Sequence, residues 1–153
     1  MSVFRIDEEA IRDHSWIVFV KSPKAWKVKT ILLVDTMDHS RIKAKWFLGN
    51  LGYIVDSVSS AEEALVIFNS AIHDLVVTDY AMSGMNGPEM AHVLKLRSPH
   101  TPIILYSKVQ PDERRCFDAV VRKQDDLLVE SQLLLIKDAI DGLLAAEIHN
   151  HSR

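Results

Sequence analysis

The succession of apolar runs predicts an α/β fold, a doubly wound five-stranded parallel sheet with helices on both faces. Three observations carry it. From residue 30 onward, short runs rich in branched residues alternate with stretches of helical period. The runs are apolar along their whole length, as strands covered on both faces are. Helix start and stop residues fall between the runs and not within them.

The first strand is read over Thr30 to Val34. Asp38 is placed to cap a helix through Trp46, Phe47 and Leu48 to Leu51, and Gly52 stands where a helix ends in the left-handed conformation. Tyr53 to Val58 reads as the second strand. Ser60 with Glu63 forms a capping box for a helix holding Ala64, Leu65 and Phe68. Leu75 to Thr78 is the third strand, and Pro88 opens a helix through Met90, Val93 and Leu94. Ile103 to Tyr106 is the fourth strand, followed by a short helix from Pro111 towards Phe117. Ala119 to Val121 is the fifth. A last helix, Leu127 to Leu144, carries Leu128, Leu135, Ile136, Ala139, Ile140 and Leu143 at helical spacing.

Residues 1–29 stand apart as an N-terminal extension: an acidic patch, then "SWIVFV", then a lysine-rich stretch around Pro23. The middle piece could add an edge strand, and the lysines suit a basic linker. Residues 30–146 form the domain, and 147–153 read as a flexible tail. There His149 and His151 could hold a metal only weakly and, in a chain terminus, more often do nothing, and the Asn150-His151-Ser152 acceptor pattern is incidental.

Composition narrows the function. With 153 residues, 48% apolar and 25% charged, the chain can bury one real core. A net charge of -3 gives no footprint for nucleic acid. The apolar run Trp16 to Val20 is too short to cross a bilayer, and the acids ahead of it oppose a secretory signal. A lone cysteine, Cys116, excludes an internal disulfide and fits a reducing, cytoplasmic compartment. Beside Phe117 it reads as a packing residue.

In a doubly wound sheet, sites form where the strands' carboxyl ends meet. The first strand ends at Asp35, the third at Asp79, the fourth at Ser107, and Arg122 and Lys123 follow the fifth. Any one strand-end acid is commonly a cap or a solvated loop residue. Two carboxylates, a hydroxyl and an ammonium on one face form a set able to handle phosphate. Carboxylates with a backbone carbonyl can hold Mg²⁺, a lysine can neutralise a phosphoryl group, and a carboxylate can be the nucleophile that forms an acyl phosphate.

From Lys29 to Leu144 the chain resembles a response-regulator receiver domain of two-component signalling, of flavodoxin-like architecture. The matching pieces are "ILLVD" with Arg41 beyond it, "GYIVDSVSSAEEAL", "HDLVVTDYAMSGMNGPEM", "TPIILYS" and "DAVVRK". The frame Asp79, Met82, Met85, Gly87 is specific in that setting. The resemblance implies that Asp79 is the phosphoacceptor, with Asp35, Asp79 and the Ala81 carbonyl holding Mg²⁺. Ser107 would bond the phosphoryl group and Lys123 would pair with it. A histidine kinase or phosphotransfer protein would be the donor, and a further protein the downstream target. The protein would be a stand-alone signalling module and not an enzyme beyond its own phosphorylation and dephosphorylation. It would have no nucleic-acid or membrane partner.

The pattern has departures. Thr36 replaces the family's second acid, which should weaken Mg²⁺ binding. Asp38 could lean in, but is better placed as a cap. Ser83 and Gln124 replace prolines, and Val120 replaces an aromatic that switches in relatives. Tyr106 neighbours Ser107 but points to the opposite face. A second reading therefore stands beside the first: a pseudo-receiver that binds proteins without phosphorylation. A haloacid-dehalogenase-type phosphatase needs two acids separated by one residue, and "DTMD" separates them by two. A flavodoxin-like cofactor binder lacks its phosphate loop, and no dinucleotide glycine fingerprint occurs. The run Leu133 to Ile136 must leave one side of the last helix exposed or paired, which makes a homodimer a candidate.

Overall fold

A computed structural model describes residues 28–109, 112, 115–124 and 129–150. Residues 1–27 of the N-terminal extension, Pro111, Glu113 and Arg114 of the short helix expected there, and His151 lie outside the described residues. Among the described residues, five strands and four helices follow in the order β1 (Thr30–Val34), α1 (Asp38–Asn50), β2 (Ile54–Val58), α2 (Ala61–Ile67), β3 (Leu75–Thr78), α3 (Gly87–Arg97), β4 (Ile103–Ser107), β5 (Ala119–Arg122) and α4 (Val129–Asn150). The described part of the stretch towards Phe117 is turn at Arg115 and Cys116. The last helix is described from Val129 to Asn150, so residues 147–150, expected as tail, are helical, while Leu127 and Leu128 lie outside the described residues.

All five strands pair in parallel in the order β2-β1-β3-β4-β5. The order reverses between β1 and β3, because the chain first moves outward to β2 and then returns past β1. Side chains alternate across each strand and divide the core into two layers. Ile31, Leu33 and Val77 pack with Ala44 and Leu48 of α1 and with Leu133, Ile136 and Ile140 of α4. Leu32, Val34 and Val76 pack with Ala61 and Ala64 of α2 and with Met90, Ala91 and Leu94 of α3. β1 and β3 are buried at every position, as strands covered on both faces must be. Cys116 packs against the second layer, in keeping with a packing role.

The ends of the elements show the local chemistry. Gly52 takes φ 95° just past α1, where a side chain would be strained. The Ser60 hydroxyl accepts the Glu63 N–H at 3.1 Å, while the Glu63 carboxylate accepts from Ser59. Phe68 lies just beyond α2, as its C-cap. Asn86 and Glu89 complete a capping box on α3. Asp38 is not a cap: Met37 occupies that position without a side-chain bond, and Asp38 is the first helical residue, its carboxylate paired with Arg41.

Two acids at the amino ends of strands are structural. Asp74, just before β3, accepts the Thr30 N–H at 2.9 Å, and Asp118, just before β5, accepts the Ile103 N–H at 2.8 Å. Each satisfies the first donor of a neighbouring strand. Lys29 and Lys95 pair with them in turn. The acids at the opposite ends of the strands do something else.

Candidate functional site

Register places the site. Val34 of β1 lies beside Thr78 of β3, so Asp35 and Asp79 leave the sheet side by side at the switch point. The Asp35 N–H bonds the Val58 carbonyl and the Asp79 N–H bonds the Val34 carbonyl, extending the ladder through both acids. Ser107 of β4 lies beside Arg122 of β5, and the Lys123 N–H bonds the Ser107 carbonyl at 2.9 Å. These bonds turn Lys123 back over the sheet's carboxyl edge.

Its ammonium stands between the two carboxylates, 2.7 Å from Asp79 Oδ2 and 3.2 Å from Asp35 Oδ2. The side chains are 12% exposed for Lys123, 16% for Asp79 and 5% for Asp35, so water screens these charges little. The Tyr80 N–H donates to Asp79 Oδ1 at 2.6 Å. Asp35 is held more tightly: Met37 N–H donates to Oδ1 at 2.8 Å, and the Ser40 hydroxyl donates to Oδ2 at 2.7 Å. Arg41 donates to the Asp35 carbonyl at 2.7 Å and pairs with Asp38.

Asp35, Asp79 and Lys123 are thus in direct contact. Ser107 is 2% exposed at the end of β4, and its Oγ accepts the Val109 N–H at 3.2 Å. Ala81 lies exposed in the loop after β3, two residues beyond Asp79. Asp38 does not join the acids; its side chain is 81% exposed. Among the described residues no third Asp, Glu, His or Cys completes a metal-holding group with Asp35 and Asp79.

The oxygen-only donors suit a hard dication. The Lys123 ammonium already occupies a cation's position between the two carboxylates, which shows that their oxygens converge on one point. The donor set is thin, because Thr36 brings no carboxylate and both Asp35 oxygens already accept bonds from the chain.

The loop after β3 is built on close approach. A Cβ on Gly87 would lie 2.1 Å from the Asp79 carbonyl oxygen, so only glycine lets α3 begin there, and its N–H bonds the Tyr80 carbonyl. Gly84 has φ 82°, and Glu62 of α2 accepts the Met85 N–H. That backbone bond holds the Glu62 carboxyl below its usual range.

Sequence reasoning left Ser40, Glu62 and Tyr106 without a place in the site. Ser40 and Glu62 carry no motif signal, since each is recruited through a bond that only the fold creates. Tyr106 does point away from Ser107, but its ring still lies against the Lys123 ammonium, 4.8 Å from the centroid. Its hydroxyl donates to Gln132 of α4 at 3.0 Å, and Gln132 donates to the Gln124 carbonyl. Burial, then the charges of Asp35 and Asp79, push the Tyr106 phenol up to about 12.

A strand-end carboxylate pair bridged by lysine at the switch point of a five-stranded parallel sheet defines a class, and comparison with known proteins agrees. The response regulator receiver domain family matches residues 31–129, and the chain belongs to that family. The regulatory protein VanRB of Enterococcus faecalis is 34% identical over 117 residues, 74% of this chain and 51% of that protein. The chain therefore spans about half the length of this curated relative. The response regulator TrrA of Thermotoga maritima, solved in complex with Mg²⁺ and BeF, is 29% identical with a TM-score of 0.65, over 76% of this chain and 99% of that one. A Vibrio cholerae chemotaxis protein at 21% identity and TM-score 0.62, over 72% of this chain and 98% of that one, shares the fold. No helix among the described residues is long and apolar enough to cross a membrane.

Proposed function

We propose that residues 30–146 form a response-regulator receiver, which accepts a phosphoryl group on Asp79. The observation that carries this reading is the Lys123 ammonium 2.7 Å from Asp79 Oδ2 and shared with Asp35. The donor is the phosphohistidine of a histidine kinase or phosphotransfer protein. The similarity to TrrA, which has also been solved in complex with the histidine kinase ThkA, supports that partner class.

An Asp79 carboxylate oxygen attacks phosphorus as the P–N bond to the donor's imidazole breaks, and the imidazole nitrogen keeps the electron pair. Lys123 neutralises charge on the arriving phosphoryl oxygens, the Ser107 hydroxyl donates to one of them, and Tyr80 N–H holds the aspartyl group in place. Asp35, Asp79 and the Ala81 carbonyl would hold Mg²⁺, which supplies charge neutralisation when bound. The protein acts in the cytoplasm by protein–protein contact. Leu134 and Leu135, 48% and 39% exposed on α4, offer a face for a homodimer. Sedimentation showing only monomer at micromolar concentration would remove that assignment.

Incubation with a small phosphodonor and Mg²⁺, with intact mass measured before and after, tests the function. A gain of one phosphoryl group that is lost in Asp79→Asn is expected. The absence of any gain at millimolar Mg²⁺ favours a pseudo-receiver that binds partners without phosphate. Thr36 and the doubly engaged Asp35 carboxylate support this second reading.

A further inference from the structure

The outer face of α1 carries an apolar strip that packs into neither core layer of the described residues. Trp46 is 70% exposed and Ile42, one turn earlier, 64%. Gly49 continues the line without a side chain, so a shallow groove opens between Ile42, Lys45, Trp46, Gly49 and Asn50. An indole left mostly in water, in line with a second large apolar side chain, marks a contact surface. At 100° per residue, Lys43 and Lys45 fall on either side of the Ile42–Trp46 line, so the strip has a basic border.

The chain carries the complement of this surface. Trp16 to Val20 is a continuous apolar run, preceded by Asp7, Glu8, Glu9 and Asp13. Its point of entry into the fold lies close by. Lys29 accepts the Ile54 N–H through its carbonyl at 3.0 Å, and Ile54 opens β2 directly after the turn that ends α1. The seven residues between Val20 and Val28 span up to about 23 Å when extended. Along α1, Trp46 lies about 6 Å and Ile42 about 12 Å from Asn50. The run can therefore reach the whole strip without disturbing the sheet.

We infer that residues 16–20 of this chain dock on the Ile42–Trp46 face of α1, with the acids at 7–13 set against Lys43 and Lys45. The contact is intramolecular and is independent of phosphorylation at Asp79.

The full chain carrying Trp16→Phe and Trp26→Phe keeps Trp46 as its single indole. Acrylamide quenching of Trp46 should rise at least about threefold when Ile17→Asp and Phe19→Asp are added, because a covered indole has lost most of its water contact. The difference should stay constant over about a hundredfold range of protein concentration. Equal quenching in the two chains overturns the proposal. Shielding that grows with concentration also overturns it, by showing that a second copy covers the face. Far-ultraviolet dichroism matching the parent confirms that each chain is folded; if the aspartates disturb it, Ile17→Ser with Phe19→Ser replaces them and is read the same way.

Discussion

Lys123 sets one positive charge between two carboxylates that otherwise face each other at the edge of a packed sheet. Removing one partner from a screened-off charge cluster leaves an uncompensated charge, which costs more than the pair contributes. Lys123→Met should lower unfolding stability at neutral pH by about 3 kcal/mol, measured by urea titration. Adding Asp79→Asn should recover most of that loss, because only one of the two acids then keeps its charge. Position 36 tests the proposed metal site. Thr36→Asp adds a carboxylate beside Asp35, and charge count governs affinity for a hard dication. Calorimetry should show Mg²⁺ binding about tenfold tighter in the variant, with a larger Mg²⁺-induced rise in melting temperature. Lys123 was legible in the strand-end pattern, whereas position 36 stood out only through the resemblance to the receiver family. Ser40 was not legible, because its bond to Asp35 depends on how α1 leaves the sheet.

Among the elements, the junction of β3 and α3 is the least tolerant of change. Gly87→Ala would drive its Cβ into the Asp79 carbonyl and should destabilise by about 2 kcal/mol or more, while displacing Asp79. Gly142, in α4 with nothing within 4 Å of an added Cβ, is the contrasting case. Gly142→Ala should stabilise by about 0.5–1 kcal/mol, and thermal denaturation of the two variants checks both signs. The capping box of α3 was present in the sequence as Asn86 and Glu89 beside Pro88, although Pro88 alone suggested the helix start. Asp38 illustrates the opposite outcome. Its residue type suits a cap, but Asp35 takes the Met37 N–H and Arg41 draws the Asp38 carboxylate to itself, so local preference yields to the site.

For the molecule as a whole, pH acts through two tyrosines that tie α4 to the rest. Tyr106 reaches Gln132, and Tyr53 donates to Asp141 at 2.8 Å. Burial is the leading cause in both cases and pushes each phenol up to about 12. A raised folded-state value means that the neutral form is favoured by folding. The stabilisation is complete below the unfolded value near 10 and is lost as pH rises from about 10 through about 12. Urea titrations across that window should show stability falling with pH, and Tyr53→Phe with Tyr106→Phe should flatten this part of the profile. Asp141 is ionised throughout that window, as any carboxyl is, and Lys137 holds its carboxyl below the usual range.

What the sequence determined by itself was the kind and order of the five strands and of the four helices described, and the identity of the groups at the strand ends. Burial along a strand or helix follows from a period of two or 3.6 residues, which is a local property. Contacts between distant residues were decided by tertiary structure. Lys123 meets Asp79 across 44 positions and Asp35 across 88, and no local period encodes such a meeting. Strand order and register bring these residues to one point, and they also decide that Asp74 and Asp118 serve the sheet while Asp35 and Asp79 serve the site.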